Sequence, residues 1–171
     1  DEAPPDGRKP AEYAVATALH KAESVMELVR SNPPAGVSVA DYLVIGADTI
    51  VYVDGQILGK PENGTHACEM LHLLSGRAHE VYTGVVLLHS DGSRQTAWER
   101  TRVRMRELTD GTIRAYVDSG EPLDKAGGYA LQGLGARFVE HVSGCYYNVV
   151  GLPLSRLCTL LENVGYHFGE R

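Results

Sequence analysis

The chain has 171 residues, of which 43% are hydrophobic, with 16 basic and 22 acidic side chains and a formal net charge of −6. This length suits one substantial core, so we expect a single domain over residues 1–171. The acidic balance offers no basic surface for a nucleic-acid backbone, which excludes a polymer of that kind as an expected partner. A small phosphorylated ligand stays compatible, because one cleft needs only a few well-placed cations.

Cysteine content and hydropathy bear on the compartment. Cys68, Cys145 and Cys158 are odd in number and form no C-x-x-C pair, which favours a reducing compartment over a disulfide framework or a zinc ribbon. No apolar run approaches about 18 residues, and the first ten residues do not resemble a secretory signal, so a membrane partner is not expected. We therefore expect a cytoplasmic location.

The first predicted elements are a helix and a short strand. Helical spacing over 11–30 predicts an amphipathic helix that ends at Asn32-Pro33-Pro34, with an apolar stripe of Ala14, Ala18, Val25, Leu28 and Val29. The apolar run 42–47 then predicts a strand buried on both faces. Asp48 follows this strand directly.

The turns Asp54-Gly55 and Asp91-Gly92 predict two β-hairpins, since tight hairpin turns favour residues that tolerate positive φ. Between them, Asn63 is placed to cap a helix that stops at Ser75-Gly76. The flanking strands are expected at 50–53 with 56–58 and at 81–89 with 95–105.

The remaining third of the chain predicts a short helix over 112–117, a glycine-rich stretch over 124–135 and a last helix that ends at Gly165. The buried stripe of that last helix is expected to contain Leu154, Leu157, Cys158 and Leu161. Because helices and strands interleave with two hairpins, the predicted fold class is α/β with a mixed β-sheet.

Two charged residues in this pattern suggest chemistry. Lys21 lies within the apolar stripe of the first helix, where its ammonium group needs an anionic partner, or must reach water along its aliphatic stem. Asp48 is the strongest candidate for a metal ligand or a general base, since ligands of α/β proteins bind beyond the carboxyl ends of strands. The alternative for Asp48 is an ordinary turn aspartate.

Other candidates lie in loops. Lys60, between Gly59 and Pro61, is held on a stiff loop or is a solvated turn residue. The amide of Gln132 both donates and accepts hydrogen bonds, so it could read a base edge or hold a water molecule. Lys21, Lys60 and Lys125 are three of only four lysines in the chain, and lysine often acts as a point charge on phosphates.

Two further patterns have structural interpretations. Arg100, Arg102, Arg104 and Arg106 alternate along one predicted strand; they could gather phosphates, but a solvated or edge-protecting face is favoured. His79, just before a predicted strand, is interpreted as a structural or surface residue.

The chain resembles the Maf family in six ordered blocks, which together extend over most of its length: 44–49, 59–61, 74–85, 115–117, 120–133 and 146–153. The acidic pair Asp1-Glu2 and the A-x-x-K-A pattern at 18–22 also resemble that family. The resemblance implies an elongated mixed β-sheet with flanking helices in two lobes around a central cleft, similar to the inosine triphosphate pyrophosphatases. The S-x-S-P-R-R loop that follows the first strand of this family would lie before Asp1.

The same resemblance implies a nucleoside triphosphate pyrophosphatase that uses a divalent metal, Mg²⁺ or else Mn²⁺, and forms a homodimer. Position by position, Asp48 resembles the family's essential acid and metal ligand, and Glu2 an accessory metal-binding acid. Lys21 and Lys60 resemble the lysines that contact phosphate, and Gln132 the amide near the nucleotide.

The substrate branch is suggested by the blocks 126–133 and 146–151, which resemble the Maf proteins that hydrolyse dTTP, UTP and modified pyrimidine nucleotides. Two alternatives remain open from the sequence. One is a pyrophosphatase for 7-methyl-GTP or another non-standard nucleotide, and the other is a nucleotide-binding module without catalysis.

Overall fold

The computed structural model describes residues 9–36 and 41–169 of the chain. Within these ranges five strands form one sheet with helices on both faces, which confirms the predicted α/β class. The elements in chain order are α1 (Pro10–Ser31), β1 (Leu43–Val53), β2 (Gln56–Leu58), α2 (Gly64–Leu74), β3 (Ala78–His89), β4 (Arg94–Met105), α3 (Asp110–Val117), β5 (Val139–Ser143), α4 (Tyr146–Val150) and α5 (Leu154–Asn163). Three short 3-10 turns, Glu121–Asp124, Ala126–Gly128 and Leu134–Phe138, lie between α3 and β5.

The strand order is β2-β1-β3-β4-β5, and every neighbouring pair is antiparallel. A mixed sheet, as predicted, would include at least one parallel pair of strands. The sheet formed by the described residues contains none. Strands β1 and β3 pair from Leu43 opposite His89 to Tyr52 opposite Glu80, which places Asp48 opposite Gly84 near the middle of the sheet.

The local signals of the first hairpin and of α2 are confirmed. Asp54 and Gly55 both have positive φ, 49° and 84°, as a two-residue hairpin turn requires. The side chain of Asn63 accepts a hydrogen bond of 3.0 Å from the backbone N–H of His66 and so caps α2. Short-range chemistry alone determines these features.

Strand β1 is longer than the sequence pattern predicted. It continues through Asp48 to Val53, because β3 offers a pairing partner along this whole length. The prediction that Asp48 follows the strand is therefore wrong. The apolar start of β1 is not buried on both faces either, since Ile45 is 48% exposed.

Helix α1 lies against the sheet through small side chains. Val25 and Leu28, assigned to the buried stripe from sequence, are 45% and 68% exposed, whereas the buried residues are Ala14, Ala18, Ala22 and Met26. A Cβ atom at Gly84 would lie 2.5 Å from the carbonyl carbon of Ala14, and one at Gly46 would lie 2.4 Å from the carbonyl oxygen of Ala18. The stripe prediction is confirmed for Ala14 and Ala18 and wrong for Val25 and Leu28, because small residues of the helix fit against these glycines.

The last helix differs from its prediction in a similar way. Leu157 and Leu160 are the buried residues of α5, and they pack on Val85 and Leu87 of β3. Leu154, which the sequence pattern assigned to the buried stripe, is 40% exposed.

The arginine face of β4 is solvated, as the sequence favoured. Arg100 pairs with Glu80 at 3.1 Å and Arg104 with Glu140 at 3.2 Å, and all of these side chains are substantially exposed. Only the part of β4 before residue 102 can form an unpaired edge that charged side chains would protect, because β5 pairs with residues 102–105.

No helix within residues 9–36 and 41–169 combines the length and the hydropathy of a transmembrane span.

Candidate active site

A cleft of about 570 Å³ opens beside β1, between α1 and the two segments 124–132 and 149–151. Its lining includes Lys21, Asp48, Lys60 and Gln132. Four of the five site residues predicted from the sequence are therefore brought together, although they come from one helix, one strand and two loops. The fifth, Glu2, lies outside the described residues.

Asp48 and Lys21 form an ion pair across the interface between β1 and α1. The Asp48 side chain is 14% exposed and that of Lys21 is 55% exposed. Both alternatives considered for Lys21 therefore apply, because its ammonium group has an anionic partner and also reaches solvent. Because Asp48 lies within a paired strand, its carboxylate is held on a rigid element rather than on a turn.

Lys60 follows β2 on an exposed loop that is tied to the opposite wall. The carbonyl of Gly59 accepts a hydrogen bond of 2.9 Å from the backbone N–H of Gly127. Gly127 has a φ of 68°, and a Cβ there would lie 2.9 Å from a methyl group of Val51. Only glycine fits this contact without strain, so residue 127 brings the two loops together over the core.

Asp124 and Lys125 add a second ion pair to the cleft, with 2.5 Å between Asp124 Oδ1 and Lys125 Nζ. The hydrogen bond from Lys125 is the main cause that holds the pKa of Asp124 below its usual value, and the charge of Lys60 contributes. Among described residues, the charged lining thus contains three ammonium groups and two carboxylates. Such a surplus of cations suits a polyphosphate ligand.

A buried polar network supports the wall at 149–151. Asn148 is fully buried, and its Nδ2 donates hydrogen bonds to the Val81 carbonyl at 3.0 Å and to Thr101 Oγ1 at 2.9 Å. The Thr83 hydroxyl donates to the Asn148 carbonyl at 3.0 Å and lies 2.8 Å from the hydroxyl of Thr49, which lines the cleft. The network fixes α4 to the sheet directly behind the cleft.

Sequence reasoning did not select Asp124, Thr49 or Asn148 as site residues. Asp124 and Asn148 lie inside blocks that carry the Maf resemblance, so a signal existed but named no role. Thr49 likewise lies inside the block 44–49, and only its tertiary partners show what it supports.

The wall that carries Gln132 is held by two further sets of hydrogen bonds, one buried and one partly exposed. His79 is 2% exposed, and 2.7 Å separates its Nε2 from the hydroxyl of Tyr129. On the far side, the Glu121 carboxylate accepts hydrogen bonds from the backbone N–H groups of Leu134 and Gly135, both at 2.9 Å. Desolvation raises the pKa of Glu121, but these backbone N–H groups and the Tyr116 hydroxyl outweigh it, so the pKa is lowered overall.

Acid should destabilise the fold through His79. Burial lowers the pKa of His79 from 6.5 to about 4, so between these values the unfolded chain binds a proton that the folded chain does not. Stability is therefore complete above pH 6.5 and falls as the pH drops towards 4, by about 3 kcal/mol in total. Urea unfolding between pH 7 and pH 4.5 measures this loss.

The matched variants are His79→Gln, which removes the titrating group, and His141→Gln, which removes an exposed histidine on β5. His79→Gln should flatten the pH dependence relative to the unsubstituted chain, whereas His141→Gln should keep its slope. Equal slopes in all three proteins would contradict the assignment.

Comparison with known proteins identifies the family. The family model described as Maf-like protein matches residues 1–164. The chain belongs to the family of Maf-like proteins, which confirms the resemblance found in its sequence blocks.

Several similar proteins are named for an enzymatic activity. A dTTP/UTP pyrophosphatase of Bacillus thuringiensis subsp. konkukian (strain 97-27) is 51% identical over 153 residues, which cover 90% of this chain and 74% of that protein. A dTTP/UTP pyrophosphatase of Bacillus anthracis has the same identity and coverage. One of Bacillus cereus (strain ATCC 10987 / NRS 248) is 50% identical, with 90% of this chain and 70% of that protein covered.

Proposed function

We propose that this chain is a nucleoside triphosphate pyrophosphatase, which cuts its substrate between the α- and β-phosphates and prefers dTTP and UTP. The observation that carries the proposal is the convergence of Lys21, Lys60 and Lys125 on one cleft together with the carboxylate of Asp48. The relatives named dTTP/UTP pyrophosphatase, at 50–51% identity, support the same activity.

The cleft has the size and charge that this reaction requires. A volume of about 570 Å³ falls in the range of small-molecule sites and accommodates a nucleotide. Attack on the α-phosphorus expels pyrophosphate, whose developing charge needs fixed cations close by. Lys60 and Lys125 lie on loops tied by the Gly59–Gly127 hydrogen bond, which supports the proposal that both ammonium groups contact phosphate oxygens.

A divalent metal fits the oxygen donors of the cleft. Within 9–36 and 41–169, no group of three or more His, Cys, Asp or Glu side chains is arranged to hold a metal ion. Asp48, and Asp124 on the opposite wall, would instead supply one or two carboxylate oxygens, which is how Mg²⁺ is held when substrate phosphates complete its coordination. When bound, Mg²⁺ or Mn²⁺ supplies charge neutralisation at the phosphates. We assign Asp48 to this ion, with Glu2 as an accessory ligand.

Gln132 is the proposed reader of the base. Its side chain is exposed on the cleft wall and offers both a donor and an acceptor, as the edge of uracil or thymine requires. A site that hydrogen-bonds its substrate rejects a mismatched partner more strongly than an apolar pocket does.

The test is a panel of UTP, dTTP, CTP, 7-methyl-GTP and ITP, with Mg²⁺ and with a chelator, in which monophosphate and pyrophosphate are both quantified. The expected result is the largest kcat/KM for UTP and dTTP, with loss of turnover in the chelator. Preference for 7-methyl-GTP or ITP would contradict the proposed preference for dTTP and UTP. Binding without any release of pyrophosphate would indicate the non-catalytic module instead.

Lys60→Ala should lower kcat/KM for UTP by about 10- to 100-fold, because a charge-assisted hydrogen bond to phosphate is lost. Steady-state assays at saturating Mg²⁺ measure the effect. Lys9→Ala, which removes an exposed lysine at the start of α1, is the charge-matched control and should leave kcat/KM unchanged. If the two variants behave alike, Lys60 is a solvated turn residue.

The homodimer and the cytoplasmic location expected from the sequence stay predictions. Sedimentation velocity at micromolar concentration tests the first, and a monomer would contradict it.

A further inference from the structure

The cleft wall 129–135, which carries Gln132, is held by hydrogen bonds at both ends, to buried residues at its start and to the partly exposed Glu121 at its other end. Tyr129, at the start of the wall, is 5% exposed, and its hydroxyl forms a hydrogen bond with Nε2 of His79 on β3. The two rings also meet edge to face, with centroids 5.4 Å apart and an interplanar angle of 81°. Because β3 is the central strand of the sheet and is paired on both sides, this anchor ties the wall to a strand whose backbone is fixed by two neighbours.

At its other end, the wall is held by the carboxylate of Glu121. In addition to the N–H groups of Leu134 and Gly135, Glu121 accepts a hydrogen bond of 2.9 Å from the hydroxyl of the buried Tyr116. A Cβ at Gly133 would lie 2.8 Å from Glu121 Oε2, so the backbone passes directly over the carboxylate. Gln132 is the residue immediately before this contact.

His79 and Glu121 lie outside the cleft lining, whereas Tyr129 and Gln132 belong to it. Gln132 lies three positions after the first anchor point, Tyr129, and two positions before the second, Leu134. With both ends fixed, the backbone between them has little freedom, and the amide of Gln132 is presented at a defined place.

We propose that His79 and Glu121 are positioning residues that fix the two ends of the wall 129–135 and thereby set the selectivity of Gln132 for the uracil edge over the cytosine edge. The inference rests on the proposed function, since it takes the nucleobase as the partner of Gln132. Its physical basis is that a hydrogen-bonding site discriminates only when its groups stay within about 0.5 Å of the productive geometry.

Each informative variant weakens the hydrogen bonds of one anchor while nearly keeping the volume of the side chain. Tyr129→Phe removes the hydroxyl that meets His79 and keeps the buried ring, and Glu121→Gln replaces an acceptor oxygen by a donor facing backbone N–H groups. Tyr42→Phe is the matched control, because the Tyr42 hydroxyl is buried without a hydrogen-bond partner in the described residues and Tyr42 lies outside the cleft lining.

The primary measurement is the affinity for the non-hydrolysable α,β-methylene analogues of UTP and CTP, determined by calorimetry with Mg²⁺. Tyr129→Phe and Glu121→Gln should each reduce the UTP-to-CTP affinity ratio by about 10-fold, comparable to the loss of one oriented hydrogen bond. Tyr42→Phe should leave the ratio unchanged. In a Gln132→Ala background, the effect of Tyr129→Phe on the ratio should vanish, as expected for a residue that acts through Gln132.

A purely structural role predicts a different result, namely equal weakening of both analogues in either background. That result overturns the inference, as does a ratio that Gln132→Ala itself leaves unchanged. If the unsubstituted chain binds the analogues but releases no pyrophosphate from UTP, the proposed function fails while the affinity ratios still decide the positioning role. If it binds neither analogue, both proposals fail.

Discussion

Asp48→Asn should lower kcat for UTP by about 100- to 1,000-fold, equivalent to about 3–4 kcal/mol in the activation barrier. The amide keeps the volume of the carboxylate but removes the negative charge that we assign to the metal. Because Asp48 also neutralises Lys21, the variant leaves that ammonium group free for phosphate. Affinity for a metal-free triphosphate should therefore be retained or increased while turnover is lost.

The control for Asp48→Asn is Asp54→Asn, which makes the same chemical change in the hairpin turn at the end of the same strand. Asp54 pairs with Arg77 outside the cleft lining, and asparagine tolerates its positive φ of 49°. Asp54→Asn should keep full turnover. Activity of Asp48→Asn within a few-fold of the unsubstituted chain would remove Asp48 from the catalytic site.

Gly84→Ala should cost about 3 kcal/mol of unfolding free energy, because the added methyl overpacks a contact between two rigid elements. The new Cβ would meet backbone atoms of Ala14 and Val15 at 2.5–2.6 Å, so relief requires α1 to move away from the sheet. Since Lys21 lies on α1 and Asp48 is paired opposite Gly84, that movement should also disturb the cleft. Urea unfolding measures the stability, and UTP hydrolysis measures the cleft.

Gly111→Ala provides the opposite control. Gly111 lies in α3, and the nearest atom to its added Cβ is the Thr109 hydroxyl at 4.0 Å. Alanine is preferred to glycine in helices by about 1 kcal/mol, so this variant should be neutral or stabilised. A Gly84→Ala protein with the unfolding midpoint of the unsubstituted chain would show that α1 does not lie as close to β3 as described.

The charged groups that line the cleft are largely arranged in ion pairs. Two of its three lysines are paired with carboxylates, Lys21 with Asp48 and Lys125 with Asp124. In the proposed substrate complex, Lys21 and Lys125 would pair with phosphate oxygens, and Asp48 and Asp124 would hold the divalent metal, which would supply positive charge at the phosphates. The lysines and aspartates that line the cleft therefore supply the charged groups that the proposed substrate complex needs.

The sequence alone predicted the features that depend on a few neighbouring residues. The hairpin at Asp54-Gly55 and the cap at Asn63 follow from local backbone and side-chain chemistry. The site residues Lys21, Asp48, Lys60 and Gln132 were selected from ordered motif blocks, and all four line one cleft. Motifs preserve the identity and order of such residues without any knowledge of their distances.

Tertiary structure decided what depends on residues that are distant in the sequence. Asp48 lies within β1 rather than after it because β3 pairs with the whole strand. Alanines rather than Val25 and Leu28 face the sheet because Gly46 and Gly84 leave room only for small side chains. The anchoring of Tyr129 by His79 joins residues 50 positions apart. Periodicity records only the apolar character of each residue, whereas these outcomes depend on the shape and hydrogen-bonding groups of the surface it meets.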